Sequence, residues 1–326
     1  MRTPFRVWLV IAAMLAFALP AQAQAQDYPN KVITLVVPVP PGGAADFIAR
    51  TLGQKLQDVL GQPVVISNRG GASGTIASDN VAKAQPDGYT ILLNSITTHG
   101  IGPHLYTSLP YDSVKDFAPI MLVAKLPLVM TIHSERPMKS VPEVIAFSKA
   151  NPGKLSFASS GNGGAPHLAG ELFKIVTGTE MLHVPYRGSG PAVVDVAAGR
   201  IDIMFDAIPS LLPMIQADKL RPLAAASSER NPILPNTPTF DELGLKGMEV
   251  SLWYGIVGPA ALPQPIVQKL NAELTKILAM PDVQQAFAKQ GALPGGGSPQ
   301  DYAAFMRDES ARWGEVVRKN NIKLEQ

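Results

Sequence analysis

Two stretches of this chain carry residues that can hold an anion with backbone rather than side-chain charge. One is Val39-Pro40-Pro41-Gly42-Gly43-Ala44-Ala45-Asp46; the other is Ser159-Ser160-Gly161-Asn162-Gly163-Gly164. Glycine lets the chain turn sharply and approach a ligand closely. In both stretches the glycines stand just before a helical pattern. The first N–H groups of a helix have no intrahelical acceptor and lie at the positive end of its dipole, so a carboxylate or other anion is stabilised there. Polar side chains nearby extend the possibilities. Arg187 offers a bidentate contact to a carboxylate, or is an exposed charge or a structural ion pair. His167, in a first helical turn, donates to a ligand or fixes its own loop; His183, on a strand, reads as structural. Asp46 and Asp206 can accept from ligand hydroxyls or ordered water, or can cap a helix or loop. Facing a carboxylate directly they would repel it, so they are expected beside an anion site or bridged to it by water.

Other chemistries lack their motifs. There is no GxxxxGK[ST] phosphate loop, no G-x-G-x-x-G order in the glycine loops, no GxSxG elbow and no H-E-x-x-H. The five histidines are scattered without metal-ligand spacing, and the absence of cysteine excludes disulfides, iron–sulfur clusters and thiolate zinc sites. No poised nucleophile or acid–base pair is visible.

The positioning elements follow from periodicity. Val32 to Val37 is apolar with little alternation, as in a strand covered on both faces. Pro38, Pro40 and Pro41 end it, because proline gives no N–H to a ladder. From Asp46, a stripe of Ile48, Leu52, Leu56 and Val59 predicts a helix that Gly61 stops. Pro63–Ile66 reads as a second strand, Asn68–Thr75 as another glycine-rich loop, Ile76–Ala84 as a helix and Tyr89–Asn94 as a third strand. Residues 95–119 read as irregular. Ile120–Ile132 reads as two strand-like pieces interrupted by Pro127, one of which can cross between domains. A helix over 140–150 turns Val144, Ile145 and Phe147 to the core. The strand–loop–helix design then recurs at 155–176, with Leu168, Leu172 and Val176 on one side. Strands at 181–184, 201–205 and 221–227 alternate with helices at 191–198 and 211–217, with Gly199 as a stop. This is the pattern of parallel sheets with helices on their faces. Asp206 falls at the C-terminal end of its strand, where ligands of open α/β sheets sit. Residues 230–247 read as surface connection. Val250–Val257 reads as a strand returning to the first domain, with Trp253 and Tyr254 a buried aromatic pair. Three helices near 265–280, 281–290 and 301–320 follow.

The 326-residue length allows two domains, and a 46% hydrophobic content allows a real core. Residues 1–25 form a secretory leader: Arg2 and Arg6, an apolar Val7–Leu19, and alternating Ala21, Ala23 and Ala25 before cleavage near Ala25. The apolar run is shorter than the roughly 20 residues that span a bilayer. Loss of the two leader arginines brings the 28 basic residues level with the 26 acidic ones, so nucleic-acid binding has no electrostatic support.

Five segments in order, VPVPPGGAADFIAR (37–50), NRGGASGTIA (68–77), ASSGNGGAPHLAGELF (158–173), HVPYRGSGPAVVDVAAGRIDIMFD (183–206) and WYGIVGPAALP (253–263), resemble the periplasmic solute-binding family of the tripartite tricarboxylate transporters, the Bug family. The resemblance implies an α/β, two-lobed type 2 periplasmic-binding-protein fold, a Venus flytrap with an interdomain ligand cleft. Lobe 1 would comprise residues 26–125 and 249–326, and lobe 2 residues 126–248. It implies a monomeric periplasmic protein with no cofactor, metal or catalytic residue. Such a protein captures a small organic carboxylate and delivers it to inner-membrane permease subunits. Ligand contacts would come from Val39, Pro41, Gly42, Gly43, Ala44 and Asp46, from Ser95 and Thr97, from Ser159, Ser160, Gly161, Asn162 and Gly163, and from His167, Arg187 and Asp206. Where the family often carries phenylalanine or tyrosine after the first proline, this chain has Val39, which makes room for a wider, aromatic ligand or is neutral. A sensory protein docking a membrane kinase and an exported enzyme acting on small acids are the rival readings.

Overall fold

The computed structural model describes residues 28–319 and Ile322. The leader and its cleavage site lie outside the described residues. The strands are β1 (Ile33–Val37), β2 (Val64–Asn68), β3 (Thr90–Ser95), β4 (Phe117–His133), β5 (Leu155–Ser159), β6 (Met181–Pro185), β7 (Ile203–Ala207), β8 (Leu220–Ala225), β9 (Ser251–Pro259) and β10 (Leu293–Gly296). The α-helices are α1 (Ala44–Leu60), α2 (Thr75–Ala82), α3 (Gly102–Leu105), α4 (Val141–Ala150), α5 (Ala165–Thr177), α6 (Ser189–Ala197), α7 (Ile208–Gln216), α8 (Gln264–Leu278), α9 (Pro281–Lys289) and α10 (Pro299–Lys319).

Two α/β lobes share one long strand. In the first, β2, β1 and β3 are parallel, and β9 and then β4 add antiparallel. In the second, β7 adds antiparallel to β4, and β5 and β6 run parallel beyond it. β4 is therefore one 17-residue strand rather than two pieces. Its first part pairs with β9 as far as Pro127, and Leu128–His133 pair with β7 and β8. Pro127 does not break it, for a geometric reason. Leu128 N–H donates to Val250 on the β9 side, and successive N–H groups point to opposite edges. The nitrogen of Pro127 thus faces the other edge, between the last pair of β10 (Leu293 opposite Lys125) and the first of β7 (Ala207 opposite Leu128). No partner strand needs its N–H there.

Helix α1 forms where its stripe predicts. Ile48, Leu52 and Leu56 are fully buried, each stabilising by about 1.5–3 kcal/mol, and Gly61 ends the helix in a left-handed conformation. Val59, Phe147 and Val176 are exposed rather than core-facing, and Ile76 is exposed as well. All four stand at or near a helix end or on an outer face, where periodicity alone sets direction poorly. Residues 95–119 are more regular than their prolines suggest: Ser95 caps a π-helical turn over Ile96–Ile101, which runs into α3. Strand β10 was not expected from its Leu-Pro-Gly-Gly sequence. It pairs because Gly295 lies against the Leu122 carbonyl, where any Cβ would clash. Trp253 and Tyr254 are both buried.

Candidate functional site

Loops follow the C-terminal ends of the parallel strands in both lobes. From lobe 1 come the β1–α1 loop and the β3 end; from lobe 2 come the β5–α5 loop, the β6–α6 loop and the β7 end. The π-helical turn of lobe 1 approaches α5 of lobe 2.

In the β1–α1 loop, Val39, Pro41, Gly42 and Gly43 are exposed and Ala44 is half-buried. Gly42 has φ 96°, a conformation that side chains rarely adopt. Gly43 is the N-cap, and no side chain caps the helix. The first N–H groups of α1 are therefore presented outward. Asp46 holds this loop in shape. Its Oδ2 accepts from Gly42 N–H (3.1 Å) and Arg50 Nε (2.9 Å), and its Oδ1 accepts from Asn68 Nδ2 (3.0 Å). Asn68 also donates to the Val39 carbonyl. Burial opposes ionisation of Asp46, but the hydrogen bonds from Arg50, Gly42 and Asn68 outweigh it and hold its carboxyl below the ordinary range. Both oxygens of Asp46 are thus engaged within the loop. Asn68 is a brace that sequence reading missed; it lies 22 residues away, and only the β1–β2 pairing brings it here.

Ser95 is buried and occupied in a capping box with Thr98, and Thr97 is half-buried beside it.

The β5–α5 loop repeats the design with other chemistry. Gly164 is the N-cap of α5, again without a side-chain cap. Gly161 and Gly163 have φ 148° and 75°. Ser160, Gly161 and Asn162 are half-buried, while Ser159, Gly163 and His167 are buried. Gly163 N–H donates to His167 Nδ1 at 3.1 Å. His167 stacks on His183 with ring centroids 4.0 Å apart. His183 Nε2 lies 2.7 Å from Ser159 Oγ, which also bonds to the Gly161 carbonyl and accepts from Gly161 N–H. The single hydroxyl hydrogen of Ser159 cannot serve both Gly161 and His183. Every partner is satisfied when His183 carries its proton on Nε2 and donates it. An imidazole in that state cannot take the serine proton, so this Ser–His contact braces a loop rather than activating a nucleophile. Burial, with His167 and Lys174 adding to it, depresses the His183 pKa to about 3.

Arg187 is exposed in the β6–α6 loop. Hydrogen bonds from Tyr186 N–H to the Ser159 carbonyl and from Gly188 N–H to the Ser160 carbonyl tie that loop to the first. Asp206 is 2% exposed. Its Oδ1 accepts from Ala207 N–H at 2.7 Å, and its Oδ2 has no partner. Burial raises its pKa to about 6 against the opposing pull of Ser189 and Ala207. Tyr254, from lobe 1, is close enough for the Asp206 charge to add to the burial that raises its phenol pKa.

Two α/β lobes sharing β4, each with a glycine-loop helix start that no side chain caps, are the architecture of a two-lobed solute-binding protein. Residues 48–322 match the family model described as "Tripartite tricarboxylate transporter family receptor", and the chain belongs to that family. It is 39% identical to Protein BugT of Bordetella pertussis over 321 residues, covering 98% of each chain. Among solved structures it is similar to Rhodopseudomonas palustris Rpa4515 with adipate (36% identity, TM-score 0.87, 91% of this chain and 99% of that one). It is also similar to MatC from the same organism with bound malate (33% identity, TM-score 0.82, 89% and 100%). The family is one of receptors rather than catalysts, and the chain is a periplasmic carboxylate-binding protein that works with a transporter.

Proposed function

We propose that this receptor captures a di-, tri- or aromatic carboxylate between its lobes and hands it, as a monomer, to the permease subunits of a tripartite tricarboxylate-type transporter. The observation that carries the reading is the pair of glycine-loop helix starts, one per lobe, neither capped by a side chain. One carboxylate at each is the simplest ligand for that geometry, and closure buries the charges and completes their hydrogen bonds. Residues 26–125 and 249–326 make up one jaw, and 126–248 the other. In this reading Gly42, Gly43 and Ala44 with Ser95 and Thr97 meet one end of the ligand. Ser160, Gly161, Asn162 and Gly163 meet the other, and Arg187 reaches in from the rim. Asp46, Ser159 and His167 act on the ligand through the shape of the loops they brace. Val39 leaves the cleft edge without an aromatic ring, which suits a wider acid. The leader is removed near Ala25.

Calorimetry against a panel of aliphatic and aromatic mono-, di- and tricarboxylates tests this. Saturable 1:1 binding of at least one di-, tri- or aromatic acid is expected. A panel on which none binds would overturn the reading.

A further inference from the structure

The two lobes also meet beside the shared strand, away from the glycine loops. Along one edge of β4, β10 pairs as far as Lys125 and β7 takes over at Leu128. At that junction Asn231, which is 6% exposed, donates from Nδ2 to the Gly291 carbonyl at 3.3 Å. Gly291 belongs to the turn between α9 and β10 in lobe 1, and Asn231 to the connection that follows β8 in lobe 2. Gly291 has φ 65°, and a Cβ there would stand 3.0 Å from Ile208 Cδ1 and 3.4 Å from Asn231 Nδ2. Glycine lets the turn adopt that conformation and lets lobe 2 come this close.

Each side of the contact is fixed to its own lobe. Helix α9 is held on α1 by the Phe47 and Phe287 rings, 6.2 Å apart, and by the 2.6 Å Lys55–Asp282 ion pair. Phe47 stands in the first turn of α1, directly after Asp46 of the first glycine loop. Ala292 N–H donates back to the Phe287 carbonyl. In lobe 2, Ile208 opens α7 directly after β7, and Ile233 and Leu234 pack on the apolar cluster that contains it. The two sides therefore move with the bodies that carry the two jaws.

The rest of this boundary is loosely packed. A pocket of about 370 Å³ lies between Pro232 and Ile233 of lobe 2 and Ala288, Leu293 and Pro294 of lobe 1. A close-packed boundary is held by many small attractions, and an unfilled gap forfeits them. Sliding lobe 2 over α9 thus costs little burial, and the Asn231–Gly291 bond is the directional contact that is made or lost. It is made in the arrangement in which the π-helical turn also approaches α5, with the lobes together.

We propose that Asn231 and Gly291 form an interlobe latch that holds the jaws together and sets the fraction of the receptor ready to grip its ligand. It concerns the lobes with or without a ligand, and so rests on the two-lobed architecture rather than on the carboxylate reading. A receptor whose competent arrangement is only part of the population binds more weakly by that fraction. The latch therefore raises affinity without touching the ligand.

Asn231→Asp is the discriminating variant. Asn231 Oδ1 accepts from Ile233 N–H within its own loop at 2.9 Å. An aspartate keeps that acceptor, has no donor for Gly291 and sets a charge against its carbonyl. Asn231→Ser makes the same cut without the charge, since its hydroxyl serves the loop and is too short to reach Gly291; it decides the matter should the aspartate disturb the loop. The chain has no cysteine, so Val65→Cys and Leu182→Cys, exposed on the outermost strands of the two lobes, carry a spin-label pair. Pulsed EPR on the ligand-free protein should show the dominant interlobe distance of the latch-intact protein giving way to a second one, whose population rises about threefold or more in both variants. Calorimetry should show affinity for the best-bound acid of the panel falling about threefold to tenfold, the worth of one hydrogen bond. At ligand saturation the distances of variant and latch-intact protein should coincide. Superimposable distance distributions in the ligand-free proteins would overturn the latch whether or not any acid binds, and so would affinity unchanged in both variants. Failure of the whole panel would overturn the carboxylate reading and leave the latch to the EPR result.

Discussion

The β1–α1 and β5–α5 loops reach the same backbone shape by different means. Each follows a buried parallel strand, turns on glycines and opens a helix without a side-chain cap. The first is held by a carboxylate, a guanidinium and an amide, with Asp46 bonded to Gly42, Arg50 and Asn68. The second is held by a serine and two stacked imidazoles. The difference teaches that the proposed anion site would belong to the main chain, with the side chains around it exchangeable as long as they fix the turn. It also gives the lobes unequal sensitivity to acid. The Asp46 brace keeps its charge well below neutral pH, whereas the second brace needs both imidazoles in defined neutral forms.

The largest expected effect comes from separating backbone access from backbone shape. Gly43→Phe adds a side chain where a Cβ meets nothing within 4 Å. Calorimetry should show affinity for the best-bound acid falling by roughly 100-fold or more, about 2.7 kcal/mol. Unfolding in urea should move by less than about 0.5 kcal/mol, as at other exposed positions. Retained affinity would break the equivalence of the two loops at its first member.

Removing the first brace comes next. Asp46→Ala leaves Gly42 N–H, Arg50 and Asn68 without their acceptor. Urea denaturation should register a loss of about 1.5–3 kcal/mol, the range for hydrogen bonds to a charged group, with weaker ligand binding alongside. A variant as stable as wild type and binding normally would show that the loop holds itself.

Gly163→Ala probes the second loop. Gly163 is buried with φ 75°, so the left-handed penalty of about 1–2 kcal/mol should appear in stability and in affinity together. That contrasts with Gly43, where affinity alone should change.

The smallest effect is the pH dependence of the imidazole brace. His183 has a folded pKa of about 3 against an ordinary 6.5. A depressed histidine leaves its contribution to stability intact above 6.5 and surrenders it as pH falls from 6.5 toward 3, because the unfolded chain takes the proton first. His183→Gln should therefore be less stable than wild type at pH 7.5, and the gap should narrow by pH 4.5 in parallel urea titrations. A gap that widens on acidification would contradict the assigned protonation state.

Much of this arrangement is legible in the sequence. Apolar runs, proline stops and glycine pairs locate β1, α1, β5 and α5, because these signals act within about ten residues. The two glycine loops follow from them directly. What the sequence hides is contributed across distance. Asn68 reaches Asp46 through strand pairing, and His183 reaches Ser159 because β5 and β6 are neighbours. The Asp206 charge reaches Tyr254 only because β9 returns to the first lobe. Pro127 reads as a break in a one-dimensional pattern and is harmless in a sheet whose partner changes at that residue. Strand β10 is invisible to propensity, since its pairing depends on Gly295 admitting a neighbouring carbonyl.

The most direct test of the central claim is a crystal structure of the protein with the tightest-binding acid of the carboxylate panel. The account predicts one carboxylate hydrogen-bonded, directly or through one water, to N–H groups of residues 42–45, with the far end of the ligand at residues 160–163 and the lobes closed around it. An acid held by Arg187 or another side-chain cation, with its carboxylate away from both glycine loops, would contradict it.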